Sequence, residues 1–197
     1  MTRATWRDFE ALFESRGAPS YCWCMAWRTT AEEARITDAP SRKRMMRSRV
    51  DAGTPVGLLG YLDGKPIAWC SIAPRSTYRG TLAEIRPGDR DESVWSLVCF
   101  YIRREHRGQG ILHALVDAAR AHARARGGSV LEAYPVDEDS PSYRYGGFVP
   151  TFEKEGFTEV GRAGSRRHVM RLRLDRPARK ATRKAMPKAT GAQRKTK

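Results

Sequence analysis

An apolar run from Val94 to Ile102 leads into a basic turn, Arg103-Arg-Glu-His-Arg-Gly-Gln-Gly110, and then into an amphipathic stretch from Ile111 to Ala125. The first run is apolar on both faces, which fits a strand inside a sheet rather than at its edge. In the second stretch Ile111, Leu112, Leu115, Val116 and Ala119 form one stripe at helical spacing. A further strand-like run, Val130 to Tyr134, follows. Strand, helix and strand in this order make a right-handed crossover between parallel neighbours, so the chain must be built round a sheet with a parallel pair. The turn suits an anion: backbone N–H groups converge at a helix start, where the dipole favours negative charge. Gly108 and Gly110 carry no Cβ to hold a phosphate away. The turn therefore predicts a phosphate-bearing ligand, against the alternative of an ordinary strand-to-helix loop.

Around this unit the pattern is mixed. Trp6, Phe9, Leu12 and Phe13 recur at helical spacing, and Gly17 and Pro19 end that helix. A dense aromatic and sulfur cluster runs from Tyr21 to Trp27. Ser41 to Val50 reads as a short basic helix capped by Ser41 and closed by Gly53 and Pro55. Val56 to Ile72 reads as a β-hairpin turning at Asp63-Gly64. Arg75 to Asp91 holds Gly80, Pro87 and Gly88 and reads as a loop. Pro150 opens a short helix to Glu155 that Gly156 caps, and Phe157 to Gly161 with His168 to Leu174 make a closing hairpin. There is no internal repeat.

The segment Arg107-Gly-Gln-Gly110-Ile-Leu112 resembles the pyrophosphate loop of the GNAT superfamily of acyl-CoA-dependent N-acyltransferases, Arg/Gln-x-x-Gly-x-Gly/Ala. Leu112 departs from it, standing where Gly or Ala is usual. Phe152-Glu-Lys-Glu-Gly-Phe157 and the strand after it resemble the family's late helix, Gly-Phe turn and strand. The likeness spans Pro55 to Leu174. It implies an α/β (α+β) fold with a central mixed sheet flanked by helices, in which one parallel strand pair splays apart. It also implies a domain over residues 1–174, whose first 54 residues form a helical, acceptor-side region where Trp23 and Trp27 either pack in the core or line the acceptor pocket.

The implied activity is N-acetyltransferase: an acetyl group moves from acetyl-CoA to an amine by direct attack in a ternary complex. Transfer of a longer acyl group is a variant of this reading. The amides of Phe100, Tyr101 and Ile102 lie where the splayed strand meets the cofactor, and one of them would polarise the acyl carbonyl. Arg107, Gly108, Gln109, Gly110, Ile111 and Leu112 would hold the pyrophosphate, mostly through backbone, with a charge-assisted bond from Arg107. The family's general-acid tyrosine maps onto Phe152, which has no proton to give. Tyr145 or Tyr143 is the replacement donor, or else a packing ring. For the base, Glu132 stands first and Glu92 next, while Ser96 occupies the position of a family glutamate and can hold a relaying water. The missing tyrosine and Leu112 leave a second reading open: a non-catalytic acyl-CoA-binding or nucleic-acid-associated protein on the same scaffold.

The chain has 197 residues and a formal charge of +15. That length allows one domain and an appendage. From Asp175 on there are nine basic residues against one acidic, among repeated Ala, Thr and Pro. Such a tail buries too little apolar surface to offset chain entropy, so residues 175–197 read as disordered. Their composition resembles the tails of DNA-compacting proteins. They are either a solvated appendage or a non-specific nucleic-acid contact of strong salt dependence. No run is long and apolar enough to span a bilayer, and the N-terminus does not read as a secretory signal, so the expected location is cytoplasmic.

Basic surface disfavours polycationic acceptors. The cysteines Cys22, Cys24, Cys70 and Cys99 offer no zinc-ligand spacing, so no metal site is expected. They read as reduced, mostly buried thiols, the alternative being that Cys22 or Cys24 is a reactive or metal-holding thiol near the acceptor. The aromatic cluster near Trp23 serves either a pocket or the contact of a homodimer.

Overall fold

The computed structural model describes residues 1–79 and 93–174. Most of the expected loop before the third strand, Glu92 and the basic tail lie outside the described residues. The elements are α1 (Trp6–Phe13), α2 (Ala39–Asp51), β1 (Leu58–Leu62), β2 (Lys65–Pro74), β3 (Val94–Ile102), α3 (Ile111–Ala125), β4 (Val130–Ala133), α4 (Val149–Lys154), β5 (Thr158–Ala163) and β6 (Arg167–Arg173). The six strands make one mixed sheet in the order β1-β2-β3-β4-β6-β5. The pair β3–β4 is parallel and the other pairs are antiparallel. Among the described residues no helix is long and apolar enough to cross a membrane.

The β1–β2 hairpin turns at Asp63 and Gly64, both at positive φ (49° and 73°), the geometry whose twist suits adjoining strands. On one face of the sheet, Leu115, Val116, Ala119 and Ala123 of α3 and Phe152 of α4 pack onto Cys70, Ile72, Leu97, Leu131 and Met170. On the other face, α1 and the segment after it pack Phe9, Phe13, Trp23 and Met25 onto Trp69 and Tyr101. The α1 stripe predicted from spacing is the buried one: Trp6, Phe9, Leu12 and Phe13. Helix α2 begins earlier than expected and is capped by Asp38 rather than Ser41. The Asp38 carboxylate accepts the Ser41 N–H at 2.8 Å, and Pro40 sits in the first turn, where its missing N–H costs nothing. Outside, the Lys43 ammonium of α2 bridges Glu10 (2.5 Å) and Glu14 (2.6 Å) near α1.

Strand β3 contains a bulge. Ser71 lies opposite Cys99 and Ile72 opposite Leu97, so Val98 is an extra residue with no partner on β2. The added residue restarts the alternation of side chains. Trp95, Leu97 and Phe100 all join the α3 face, while Val98 and Tyr101 join the opposite one.

The lower end of α3 carries a pH-sensitive contact. His122 meets Trp95 edge-on, with centroids 5.5 Å apart. Burial, then the Arg126 charge, lowers its pKa to about 4. Once unfolded, this histidine takes up a proton near pH 6.5, whereas the folded form resists until about pH 4. Stability therefore falls as pH drops through that window. Urea midpoints measured from pH 7 to 4 will decline less steeply in His122→Gln than in the parent chain.

Candidate active site

The parallel pair runs in register only from Val94–Val130 to Leu97–Ala133. Beyond the bulge β3 goes on to Ile102 paired with β2 alone, while the chain after β4 turns off and forms an isolated bridge between Val136 and Phe148, outside the sheet strands. The separation opens a cleft of about 480 Å³, with Phe100, Tyr101 and Ile102 on one wall, Arg107 and Leu112 at one end, and Tyr145 and Phe148 opposite.

Arg103 N–H donates to the Ile67 carbonyl at 3.0 Å across the β2–β3 pair. Main-chain groups alternate in direction along a strand, so Tyr101 also points its amide at β2, whereas Phe100 and Ile102 point theirs at the cleft. The Ile102 carbonyl agrees with this: it accepts Arg107 Nε at 2.9 Å. Of the three amides expected at the cofactor, two face the cleft. Tyr101 borders the cleft but sends its ring to the other face, 6.1 Å from Phe13.

The loop after β3 makes a 3₁₀ turn over Arg104–His106 and then passes through Gly108 and Gly110, both at φ 75°. A Cβ at either position would meet nothing within 4 Å. Packing therefore does not demand glycine here; the left-handed backbone does, and the space it leaves is open to a ligand. Gly110 precedes the first turn of α3, whose amides have no partners within the helix. Gln109 Nε2 reaches back to the Glu105 carbonyl at 3.2 Å. Ile111 and Leu112 are partly buried against the α3 core, so the leucine that replaces a small residue forms the wall of the cleft.

A second cavity, about 240 Å³, lies on the α1 face. Its roof is the Pro19–Trp27 segment, and its floor is Val98, Cys99, Tyr134 and Tyr145. Tyr145 lines both spaces. The two tryptophans divide between core packing and the cavity. Trp27 lines the cavity, but Trp23 is buried in the core, stacked 5.6 Å from Phe13. Positive φ at Trp23 (47°) and Cys24 (55°) turns these neighbours inward. Cys24 Sγ accepts the Trp69 indole N–H at 3.0 Å. All four cysteines are free, and Cys22, Cys24 and Cys99 line the cavity. The Cys99 thiol, then the Trp69 indole, lower the Cys24 pKa against its burial, while burial pushes up Cys22 and Cys70. Tyr21 faces Tyr145, and burial, then that neighbour, raises its phenol.

Glu132 is fully buried on β4. Its carboxylate accepts Arg171 Nε at 2.6 Å and the Tyr134 hydroxyl, and Arg75 approaches to 3.6 Å. Ser96, also fully buried, shares a hydrogen bond of 2.9 Å with the Tyr134 hydroxyl. Burial, then the Glu132 charge, holds the Tyr134 phenol well above its ordinary range, so it stays protonated. Thus Glu132 and Ser96 do come together, but through Tyr134, which borders the second cavity. Sequence reasoning passed over Tyr134. The available signal was alternation, since residues two apart on a strand share a face. Arg75 and Arg171 gave no signal, because both are far from Glu132 along the chain, Arg75 in the turn after β2 and Arg171 on β6. Phe152 is fully buried between Phe100 (6.1 Å) and Phe157 (5.2 Å), so the usual tyrosine position is core here.

None of the curated proteins matches the chain by sequence. Solved structures match its fold. An acetyltransferase crystal structure overlays with a TM-score of 0.56 at 16% identity, over 87% of this chain and 97% of the other. The yncA protein of Salmonella typhimurium, solved with acetyl-CoA, gives 0.52 at 21% identity over 88% and 92%. The paia N-acetyltransferase of Thermoplasma acidophilum, solved with coenzyme A, gives 0.51 at 15% identity over 88% and 95%. Residues 6–145 match the acetyltransferase (GNAT) family, a span that holds both the cleft loop and the aromatic roof. With a six-stranded mixed sheet broken at its one parallel pair, the chain belongs to the GNAT acetyltransferase family.

Proposed function

We propose that the protein transfers the acetyl group of acetyl-CoA to a primary amine held in the aromatic cavity, by direct attack in a ternary complex. The observation that carries this reading is the meeting of two spaces at Tyr145: the cleft where β3 leaves β4, and the cavity roofed by Pro19–Trp27. The backbone from Arg107 to Leu112 takes the pyrophosphate at the start of α3. Arg107 is tied to Ile102 and supports the loop as well as adding charge. The amides of Phe100 and Ile102 face the thioester arm, and one of them polarises its carbonyl. Tyr145 is placed to protonate the departing thiolate. The proton of the attacking amine passes toward Glu132 by way of Tyr134, whose hydroxyl Ser96 holds in place. Residues 1–174 carry this activity, and residues 175–197 form a basic segment suited by charge to polyanions.

The test is release of free thiol from acetyl-CoA in the presence of a mixed amine panel. Turnover is expected, and Tyr145→Phe will lower kcat by about 10²-fold or more while leaving acetyl-CoA affinity near that of the parent. Unchanged kcat would remove Tyr145 from the proton path. The burial of Phe152 where the family keeps its tyrosine favours one second reading, an acyl-CoA-binding protein without turnover. Tight acetyl-CoA binding with no thiol release across the panel would select it.

A further inference from the structure

We infer that Cys24 is a site of oxidation by peroxide, and that Cys99 resolves the oxidised sulfur into a disulfide that staples the roof of the second cavity to its floor. The chemistry goes beyond the transferase reading and does not depend on it; only the effect on turnover does.

Placement comes first. Cys22 and Cys24 lie in the roof, the Pro19–Trp27 segment, and Cys99 lies in the floor on β3. All of them are free thiols. Left-handed backbone at Trp23 and Cys24, φ 47° and 55°, turns Cys24 into the apolar cluster built round Phe13 and Trp69, and Cys99 packs against that same cluster. The two thiols, distant in sequence, interact directly there. Cys24 is only 5% exposed, which shuts out a bulky reagent. Yet it borders a space of about 240 Å³, ample for a peroxide molecule.

The surroundings of Cys24 favour the charged sulfur. Its Sγ accepts the Trp69 indole N–H at 3.0 Å. Behind it stands the buried Arg28, whose Nη2 donates to Ser71 Oγ at 3.0 Å. Donation from the Cys99 thiol, then from the indole, with the Arg28 charge and Ser71 added, lowers the Cys24 pKa against its burial. The same contact, then burial, pushes the Cys99 thiol up. Cys24 is therefore the nucleophile and Cys99 the thiol that keeps its proton, since the thiolate is the form that attacks. Cys70 supplies the contrast: it is fully buried in the core on the α3 face, and burial pushes its thiol up.

The steps balance. The Cys24 thiolate attacks one peroxide oxygen, the O–O bond breaks, and hydroxide leaves and takes a proton to become water. Cys24 is then a sulfenic acid. Its sulfur no longer carries charge, so the contact that held the proton on Cys99 weakens. Cys99 attacks Cys24 Sγ, the S–O bond breaks, and the Cys99 proton joins the departing hydroxide as a second water. Two thiols are oxidised to a disulfide, and one peroxide is reduced to two waters. The new bond draws the Pro19–Trp27 segment onto β3 beside the Val98 bulge, which narrows the second cavity and leaves the cleft at Phe100 and Ile102 open.

The test is treatment of the full chain with hydrogen peroxide at neutral pH, then alkylation, digestion without reductant and tandem mass spectrometry. The expected product joins Cys24 to Cys99 with loss of two hydrogens, and dithiothreitol reverses it. Cys99→Ser will stop at a Cys24 sulfenic acid that dimedone traps. Cys24→Ser, whose hydroxyl can still accept the Trp69 N–H, will consume peroxide about tenfold or more slowly, as loss of the favoured thiolate predicts. Cys22→Ser will form the bond as the parent does. After desalting, the oxidised parent will transfer acetyl groups at least about tenfold more slowly, because the acceptor loses its position, while acetyl-CoA affinity is kept. The inference is overturned if Cys24 remains a thiol, if its bond goes to Cys22, or if dimedone labels Cys70 in Cys99→Ser as readily as Cys24. A Cys24–Cys99 bond that leaves turnover at the parent rate would overturn the narrowing of the cavity. That bond in a chain with no transfer before oxidation would instead sink the transferase reading and leave the oxidation site standing.

Discussion

Glu132→Ala will lose about 3–5 kcal/mol of unfolding free energy, the usual cost of breaking a buried ion pair from one side, as read from urea denaturation. The carboxylate has no exposure to water, and its removal takes away the acceptor to which Arg171 Nε donates at 2.6 Å. It also frees the Tyr134 hydroxyl that Glu132 and Ser96 fix together. Glu132→Gln keeps the shape and one acceptor oxygen, so it will fold better than the alanine variant. It will lower turnover more than acetyl-CoA affinity, because through Tyr134 the carboxylate connects to the cavity proposed for the acceptor and not to the cleft between β3 and β4. If steady-state kinetics of Glu132→Gln give parent values for both parameters, Glu132 has no part in the proton path. A measured stability loss below about 1 kcal/mol for Glu132→Ala, the level of an exposed pair, would mean that the network is not closed in solution.

Gly110→Val will lower CoA affinity by about two orders of magnitude while costing the fold only about 1–2 kcal/mol, the price of a left-handed non-glycine residue. The two effects separate because a Cβ at Gly110 touches no protein atom within 4 Å. Nothing in the folded chain resists the side chain except the backbone itself, at φ 75°. What resists it is the ligand, since the added methyl groups would stand in front of the first amides of α3. Calorimetry with CoA against a denaturation curve measures both. Parent-like CoA affinity in Gly110→Val would show that the diphosphate lies elsewhere.

Much of this was legible in the sequence, for identifiable reasons. The limits of β3 and α3 follow from an abrupt change of composition on either side of the glycine turn, and both elements occupy the expected residues. The Asp63-Gly64 turn carries its own backbone signature. The cap of α2 was misplaced because Asp38 and Ser41 both flank Pro40 and both are good caps; only the geometry picks the aspartate. The Val98 bulge left no trace, because a strand apolar on both faces reads the same in either phase. For the same reason the aim of the Phe100 and Ile102 amides could not be told from that of Tyr101. In the candidate site, the glycine turn is set by local sequence, whereas the arginine partners of Glu132 come from the turn after β2 and from β6 and depend on strand order. Trp23 and Trp27 look alike in sequence; a pair of positive φ values sends one inward and leaves the other at the cavity.

The break between β3 and β4 has a thermodynamic corollary. Past Leu97 the middle of the sheet is short of one strand, and a molecule laid along Phe100 and Ile102 completes it much as an added peptide completes an open edge. Whatever finishes the sheet joins the folding equilibrium, so the supply of that molecule becomes a determinant of how long the chain stays folded.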